Sequence, residues 1–285
     1  MSQPRLLDQV RGAIRLRQYS LSTERSYVSW IRRYILFHGK RHPAQLEKSE
    51  VEAFLTHLAV NRGVSPATQN QALQAILFLY RNVLGLELPW LDGVVRSKPR
   101  RRLPVVLSKT EVKSLLIHMP ATMYLPCSLM YGSGLRVSEC LRLRIGDIDF
   151  SRSSIRIHSG KGGKDRATLL PVSLLDALHA QIAFVKIIHD KDSALGLGVA
   201  KLPLAFQRKI GGSSRRFYWQ YLFPSPQISA DPRDKGKRHR WHLHPTTVRK
   251  SIRTASIRAD IKKRVTCHTL RHSFATHLLE AGTDI

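Results

Sequence analysis

Thr266-Cys267-His268-Thr269-Leu270-Arg271-His272-Ser273-Phe274-Ala275-Thr276-His277, which opens the closing stretch 266–285, is the segment on which the reading of this chain turns. His268 and Arg271 are three apart, so on a helix they lie side by side on one face. Arginine offers a planar fork of donors to a phosphate, and histidine gives or takes a proton near neutral pH. The same segment also reads as a basic amphipathic helix with Leu270, Phe274 and Leu278 turned to a core. The pair alone does not choose between the two, so the rest of the chain has to.

Composition narrows the partner. The 285 residues are 42% hydrophobic, ordinary for a globular core, and carry 47 Lys and Arg against 20 Asp and Glu, a formal net charge of +27. Such a surface repels itself unless a polyanion neutralises it, and nucleic acid is the default polyanion. An anionic membrane is the rival, but the basic residues are spread along the whole chain and are not gathered on one helix. No apolar run approaches the ~18 residues of a membrane span, and the N-terminus lacks the apolar core of a signal peptide, so a soluble, intracellular protein without membrane partners is expected. Cys127, Cys140 and Cys267 form no CxxC pair, which argues against a disulfide framework or a cysteine zinc site. His239, His242 and His244 cluster without a nearby carboxylate or thiol and read as solvated or DNA-facing; no metal is expected.

Periodicity predicts helices through the first hundred residues. Leu6, Val10, Ile14 and Leu16 form one stripe; Tyr27, Trp30, Ile31, Tyr34 and Ile35 form another after the capping candidates Ser22 and Thr23. A third helix follows Ser49, and a fourth starts at cap Ser65 with Pro66 and stops at Gly85. Arg96, Lys98, Arg100, Arg101 and Arg102 then crowd around Pro99 in a segment too basic to pack, which reads as a linker along phosphates. Ser108-Lys109-Thr110-Glu111 has the pattern of a capping box, and an apolar helix over 125–130 ends at Tyr131-Gly132-Ser133-Gly134, with Arg136 starting the next. Residues 154–158 alternate as a strand, Gly160-Lys161-Gly162-Gly163-Lys164 turns, and 166–171 return. Residues 195–244 read as irregular and aromatic, and 246–259 and 269–280 as helices.

Three stretches can each bring a cation to one phosphate. Arg136 sits where backbone amides also favour an anion, Lys161 tops a glycine-flanked turn, and His268 and Arg271 share a helix face. Two arginines can hold the non-bridging oxygens of a phosphodiester as charge builds in a five-coordinate transition state, while lysine or histidine protonates the departing oxygen. Each piece alone has a plainer reading as a solvated helix start or a simple turn. Gly160 to Lys164 also lacks the continuation of a P-loop.

Tyr131-Gly132-Ser133-Gly134-Leu135-Arg136-Val137-Ser138-Glu139, Gly160-Lys161-Gly162-Gly163-Lys164 and His268-Thr269-Leu270-Arg271-His272 occur in the order seen in the tyrosine recombinases, the phage-integrase family, which the chain resembles along nearly its whole length. The stretch Leu202-Pro203 through Trp219-Gln220-Tyr221-Leu222-Phe223-Pro224-Ser225, with Asp231-Pro232-Arg233, resembles an insertion of the integron integrases. The resemblance implies a mainly α fold with a small antiparallel β-hairpin or sheet (α+β), arranged as a two-domain DNA clamp. Its parts are a helical, SAM-like core-binding domain (1–91), a basic linker (92–104) and a catalytic domain (105–285) with an insertion at about 195–245. It further implies that Arg136 and Arg271 bind the scissile phosphate, Lys161 acts as general acid, His268 assists, and Glu139 orients its neighbours.

The implied activity is insertion and excision of gene cassettes through a phosphotyrosyl intermediate, with no cofactor because the covalent link conserves bond energy. The implied partners are a duplex recombination site and a folded single-stranded hairpin site, engaged by a homo-tetramer in the bacterial cytoplasm at the nucleoid. Trp219, Arg240, Trp241 and His242 would contact DNA, the aromatics stacking on an extruded base, although packing of the insertion also accounts for both tryptophans. The family's nucleophilic tyrosine is expected downstream of Ile285. None of the eight tyrosines carries over to that role, Tyr131 reading as a packing residue, so the 285 residues alone are expected to bind DNA without cutting it.

Overall fold

Apolar residues recurring three and four positions apart make helices of the N-terminal part of the chain. In this computed structural model, which describes residues 4–86, 103–158, 165–202, 209 and 214–283, the chain divides into two compact units, Met1–Arg102 and Leu103–Ile285. The first holds α1 (Leu6–Leu16), α2 (Leu21–Phe37), α3 (Lys48–Thr56) and α4 (Pro66–Leu79). The cap of α2 is Ser20, whose hydroxyl accepts the Thr23 amide at 3.1 Å, and not Ser22 or Thr23. Helix α3 opens one residue before Ser49, where the Glu50 carboxylate accepts the Glu47 amide at 2.9 Å. Ser65 and Pro66 start α4 as the sequence predicts. The helix runs into a wider π-type turn, Tyr80–Leu84, closed by Gly85 at φ 66°. Tyr34 and Tyr80 are fully buried with their hydroxyls 3.0 Å apart, and burial pushes both phenols up, so they remain neutral hydrogen-bonding groups.

The second unit is built around α6 (Ala121–Gly132), a helix apolar on nearly every side and therefore covered on nearly every side. It is longer at both ends than the expected 125–130, and Pro126 is accommodated inside it. Helices α5 (Lys109–Ile117), α7 (Val137–Leu141), α9 (Pro245–Arg258) and α10 (Cys267–Glu280) pack against it. The Ser108 capping box of α5 is complete, with Ser108 accepting the Glu111 amide at 3.1 Å and donating its own to Glu111 at 2.7 Å. Strands β1 (Ile148–Asp149), β2 (Ser154–Ile157) and β3 (Arg166–Leu169) form an antiparallel sheet in that order, with Ile155 opposite Thr168 and Ile157 opposite Arg166.

Two expectations are corrected here. Residues Val172–Ala194, which include α8 (Leu175–Ala194), form a 23-residue helical segment with mean hydropathy 1.3, long and apolar enough by length and composition to cross a membrane. Leu178, Val185, His189 and Asp192 of α8 are nevertheless buried in the folded unit. The stretch 195–244 is not irregular throughout: β4 (Pro224–Asp231) and β5 (Asp234–His242) pair as an antiparallel hairpin, with Ile228 opposite Arg240 and Ser229 opposite His239. Its strands are polar and basic, so they carry no apolar alternation to announce them. The Gly160 to Lys164 turn with Lys161, and Arg96, Lys98, Arg100, Arg101 and Arg102, lie outside the described residues.

Candidate functional site

The site begins at the turn between α6 and α7. Gly134 adopts φ +61°, a left-handed conformation that glycine tolerates. A Cβ there would come within 2.5 Å of the Phe274 ring, so the missing side chain is also what lets α10 approach the turn. Across this contact Arg271 of α10 donates to the Gly134 carbonyl. Two residues on, Arg136 caps α7: its amide reaches Glu139 Oε2 at 2.8 Å and its Nη1 reaches Oε1 at 2.7 Å.

Glu139 is where the elements meet. Arg166, at the start of β3, grips the same carboxylate with both Nη atoms at 3.0 and 2.9 Å, and Arg271 Nη1 lies 3.7 Å from it. Thus α7, β3 and α10 each deliver one guanidinium to one carboxylate. The Glu139 side chain is 8% exposed while those of Arg136, Arg166 and Arg271 are 29%, 34% and 32% exposed, so the carboxylate lies beneath and the cations reach solvent. Burial pushes the Glu139 carboxyl up, but hydrogen bonds from Arg166 and Arg136 outweigh it and hold the group down at about 2. Glu139 correspondingly raises Arg166 against its desolvation. Arg271 is lowered, by burial first and by Arg136 next, with Glu139 opposing. An anion arriving there would relieve that repulsion.

Buried hydrogen bonds set the register of α10. Ser273, fully buried, accepts the Leu107 amide at 2.9 Å and donates to the Thr269 carbonyl at 2.9 Å. Tyr131, at the end of α6, pairs its hydroxyl with His277 Nδ1 at 2.9 Å. From the sheet, Thr168 donates to the Ser133 carbonyl at 2.9 Å. His268 is on the exposed side of α10, its ring 6.5 Å from that of His272. The structure therefore brings Arg136 and Arg271 together, places His268 one turn along the same helix, and adds Arg166. Sequence reasoning missed Arg166, although strand alternation puts residues 166 and 168 on one face, and 168 already touches the Ser133 turn.

The residues of 195–245 that the sequence reading expects to contact DNA lie elsewhere in the second unit. Arg240 on β5 is bound at every turn: Nε and Nη2 reach Asp192 of α8 at 2.5 and 2.7 Å, and Nη1 reaches the Ser225 and Pro226 carbonyls at 2.8 Å. It fastens the hairpin to α8 and has no fork left to offer a phosphate. His242 lies edge-on to Tyr221, its Nδ1 2.8 Å from the Leu243 carbonyl, and burial lowers its pKa, so it is the neutral ring that packs there. Trp241 is half-buried, edge-on to His239, and Trp219 is half-buried, edge-on to Tyr218. The Trp219 carbonyl accepts from Arg144, and Tyr218 lies flat against Gly146, where a Cβ would meet its ring at 2.1 Å. Among the described residues no group of three or more His, Cys, Asp or Glu could hold a metal.

A family profile for the phage integrase N-terminal SAM-like domain matches residues 6–90, and that of the phage integrase family matches residues 105–285. An integrase/recombinase from Escherichia coli is 46% identical over 281 residues, covering 99% of this chain and 83% of its own length. Tyrosine recombinase XerA from Thermococcus kodakarensis is 32% identical over 295 residues, covering 100% of this chain and 85% of its own. Among solved structures, the XerH site-specific recombinase bound to its difH substrate superposes with a TM-score of 0.63 at 18% identity, covering 98% of this chain and 76% of that one, a likeness of fold.

Proposed function

Because this chain belongs to the phage integrase family, the tyrosine recombinases that exchange DNA strands, we propose that it is a site-specific recombinase of the integron type, inserting and excising gene cassettes. The observation that carries the site reading is the convergence of Arg136 and Arg271, from two helices far apart in sequence, above one buried carboxylate. In this reading their guanidinium groups take the non-bridging oxygens of the scissile phosphate. Glu139 and the Gly134 carbonyl hold the two arginines at one place before the phosphate arrives, so that both can meet the charge that builds in the transition state. Lys161 protonates the departing oxygen and His268, within a turn of Arg271, assists the proton transfer. A tyrosine attacks the phosphorus and keeps the bond energy as a phosphotyrosyl link, which is why no metal enters the scheme.

Tyr131, paired with His277, is a packing residue here and is not the attacking tyrosine. The net charge of +27 supports duplex DNA as partner, held by a tetramer on two sites. The insertion supports the integron assignment, with Trp219 and Trp241 stacking on an extruded base; Arg240, spent on Asp192, acts there by anchoring the hairpin.

The test is a set of gel shifts and footprints on duplex DNA and on folded single-strand hairpins, together with an assay for covalent protein-DNA adducts. Binding to both forms, with protection lost locally around one phosphate in Arg136→Ala and Arg271→Ala, is the expected result. Footprints unchanged by either substitution contradict the site assignment. Binding to duplex alone removes the integron assignment, and, in a chain that carries the attacking tyrosine, binding without any adduct favours a DNA-binding competitor over a recombinase.

A further inference from the structure

Arg166 has no part in the scheme above, yet it makes the most complete contact at the site. The two oxygens of Glu139 accept from the Arg136 amide, Arg136 Nη1, Arg166 Nη1 and Arg166 Nη2, which together fill the lone-pair sites of a carboxylate. Arg271, at 3.7 Å, stands outside that set. A phosphate oxygen that takes Arg136 Nη1 therefore competes with Glu139 for that donor. Glu139 is 8% exposed, and a buried carboxylate stripped of its ion-pair partner is costly. The two-pronged contact with Arg166 meets that cost in advance, because it survives when Arg136 Nη1 leaves.

Resting on the reading that Arg136 and Arg271 bind the scissile phosphate, we propose that Arg166 is a positioning residue: it keeps Glu139 paired so that the Arg136 guanidinium can pass from that carboxylate to the phosphate. Glu139 is thus the internal anion that holds Arg136 in place while the site is empty. Arg166 decides how readily Glu139 lets go.

The experiment follows the side-chain signals of Arg136 and Arg271 by nuclear magnetic resonance while inorganic phosphate is titrated at constant ionic strength. In the wild-type chain both signals respond. Arg166→Ala and Arg166→Gln leave Glu139 dependent on Arg136 alone, and the apparent affinity read at Arg136 falls about tenfold. Arg166→Lys, which keeps the charge but not the fork, recovers part of the loss. The double variant R166A/E139Q, with no carboxylate left to retain Arg136, binds phosphate more tightly than R166A by the same competition argument. A purely structural role predicts the opposite order, with the double variant the weakest. Wild-type affinity in R166A and R166Q, or a double variant no better than R166A, overturns the role of Arg166 and leaves the phosphate site standing. Silence of Arg136 and Arg271 in the wild-type titration overturns the phosphate reading, and this inference falls with it.

Discussion

Replacing Glu139 by Gln keeps the shape of the side chain and removes the charge on which Arg136, Arg166 and Arg271 converge. The carboxyl is held at about 2 against an ordinary 4.5, a difference worth about 3 kcal/mol at about 1.36 kcal/mol per pH unit. The folded-state value is the lower one, so this stabilisation is fully present above 4.5 and is lost as pH falls through about 2. Urea unfolding of wild type and Glu139→Gln at a series of pH values measures it. At pH 7 the variant is expected to be less stable by about 3 kcal/mol, and the gap should narrow below pH 5 and nearly close by pH 2. Other carboxylates titrate in both proteins and cancel in the difference. Two stability curves that run parallel from pH 7 to pH 2 would refute the reasoning, because the cost of the substitution would then come from packing and not from an ionised Glu139.

Three further outcomes follow from the geometry. Arg240→Ala breaks an ion pair whose side chains are 17% and 8% exposed and should cost about 3 kcal/mol; hydrogen exchange should speed up in β4 and β5, and unchanged exchange there would remove Arg240 as the anchor of the hairpin. Gly134→Ala forces a left-handed φ on a residue whose new Cβ meets Phe274 at 2.5 Å; thermal unfolding should show a loss of about 2 kcal/mol, with the Arg271 side-chain signal displaced. In the first unit Tyr80 donates to the Pro43 and Leu46 carbonyls while, among the described residues, the Tyr34 hydroxyl meets that of Tyr80 alone, so Tyr80→Phe should cost about 2 kcal/mol and Tyr34→Phe about 1 by chemical denaturation; equal costs would contradict that assignment of donors.

What the sequence made legible depended on whether a signal is local. The Ser108 to Glu111 box and the Ser65-Pro66 start are carried by residues three or fewer apart, and both form as read. The cap of α2 is Ser20 and not the candidates Ser22 and Thr23, because Ser20 stands three residues before the Thr23 amide that it accepts. Helix α6 exceeds the expected 125–130 at both ends, since Thr122 and Gly132 interrupt the apolar run that marked it. The β4–β5 hairpin was illegible because what secures it, Arg240 on Asp192, spans 48 residues. The same limit applies at the site. Arg136 and Arg271 stand out by motif, but Arg166 becomes visible only when the register of β3 turns it toward Glu139.

The central claim, that Arg136 and Arg271 hold one particular phosphate, is tested most directly by replacing single phosphates with neutral methylphosphonates along the DNA that the protein protects. Wild type should show one position where loss of the charge weakens binding about tenfold or more, and at that position Arg136→Ala and Arg271→Ala should be indifferent to the replacement. Sensitivity spread evenly over many phosphates, or a sensitive position that stays sensitive when both arginines are removed, would contradict the account.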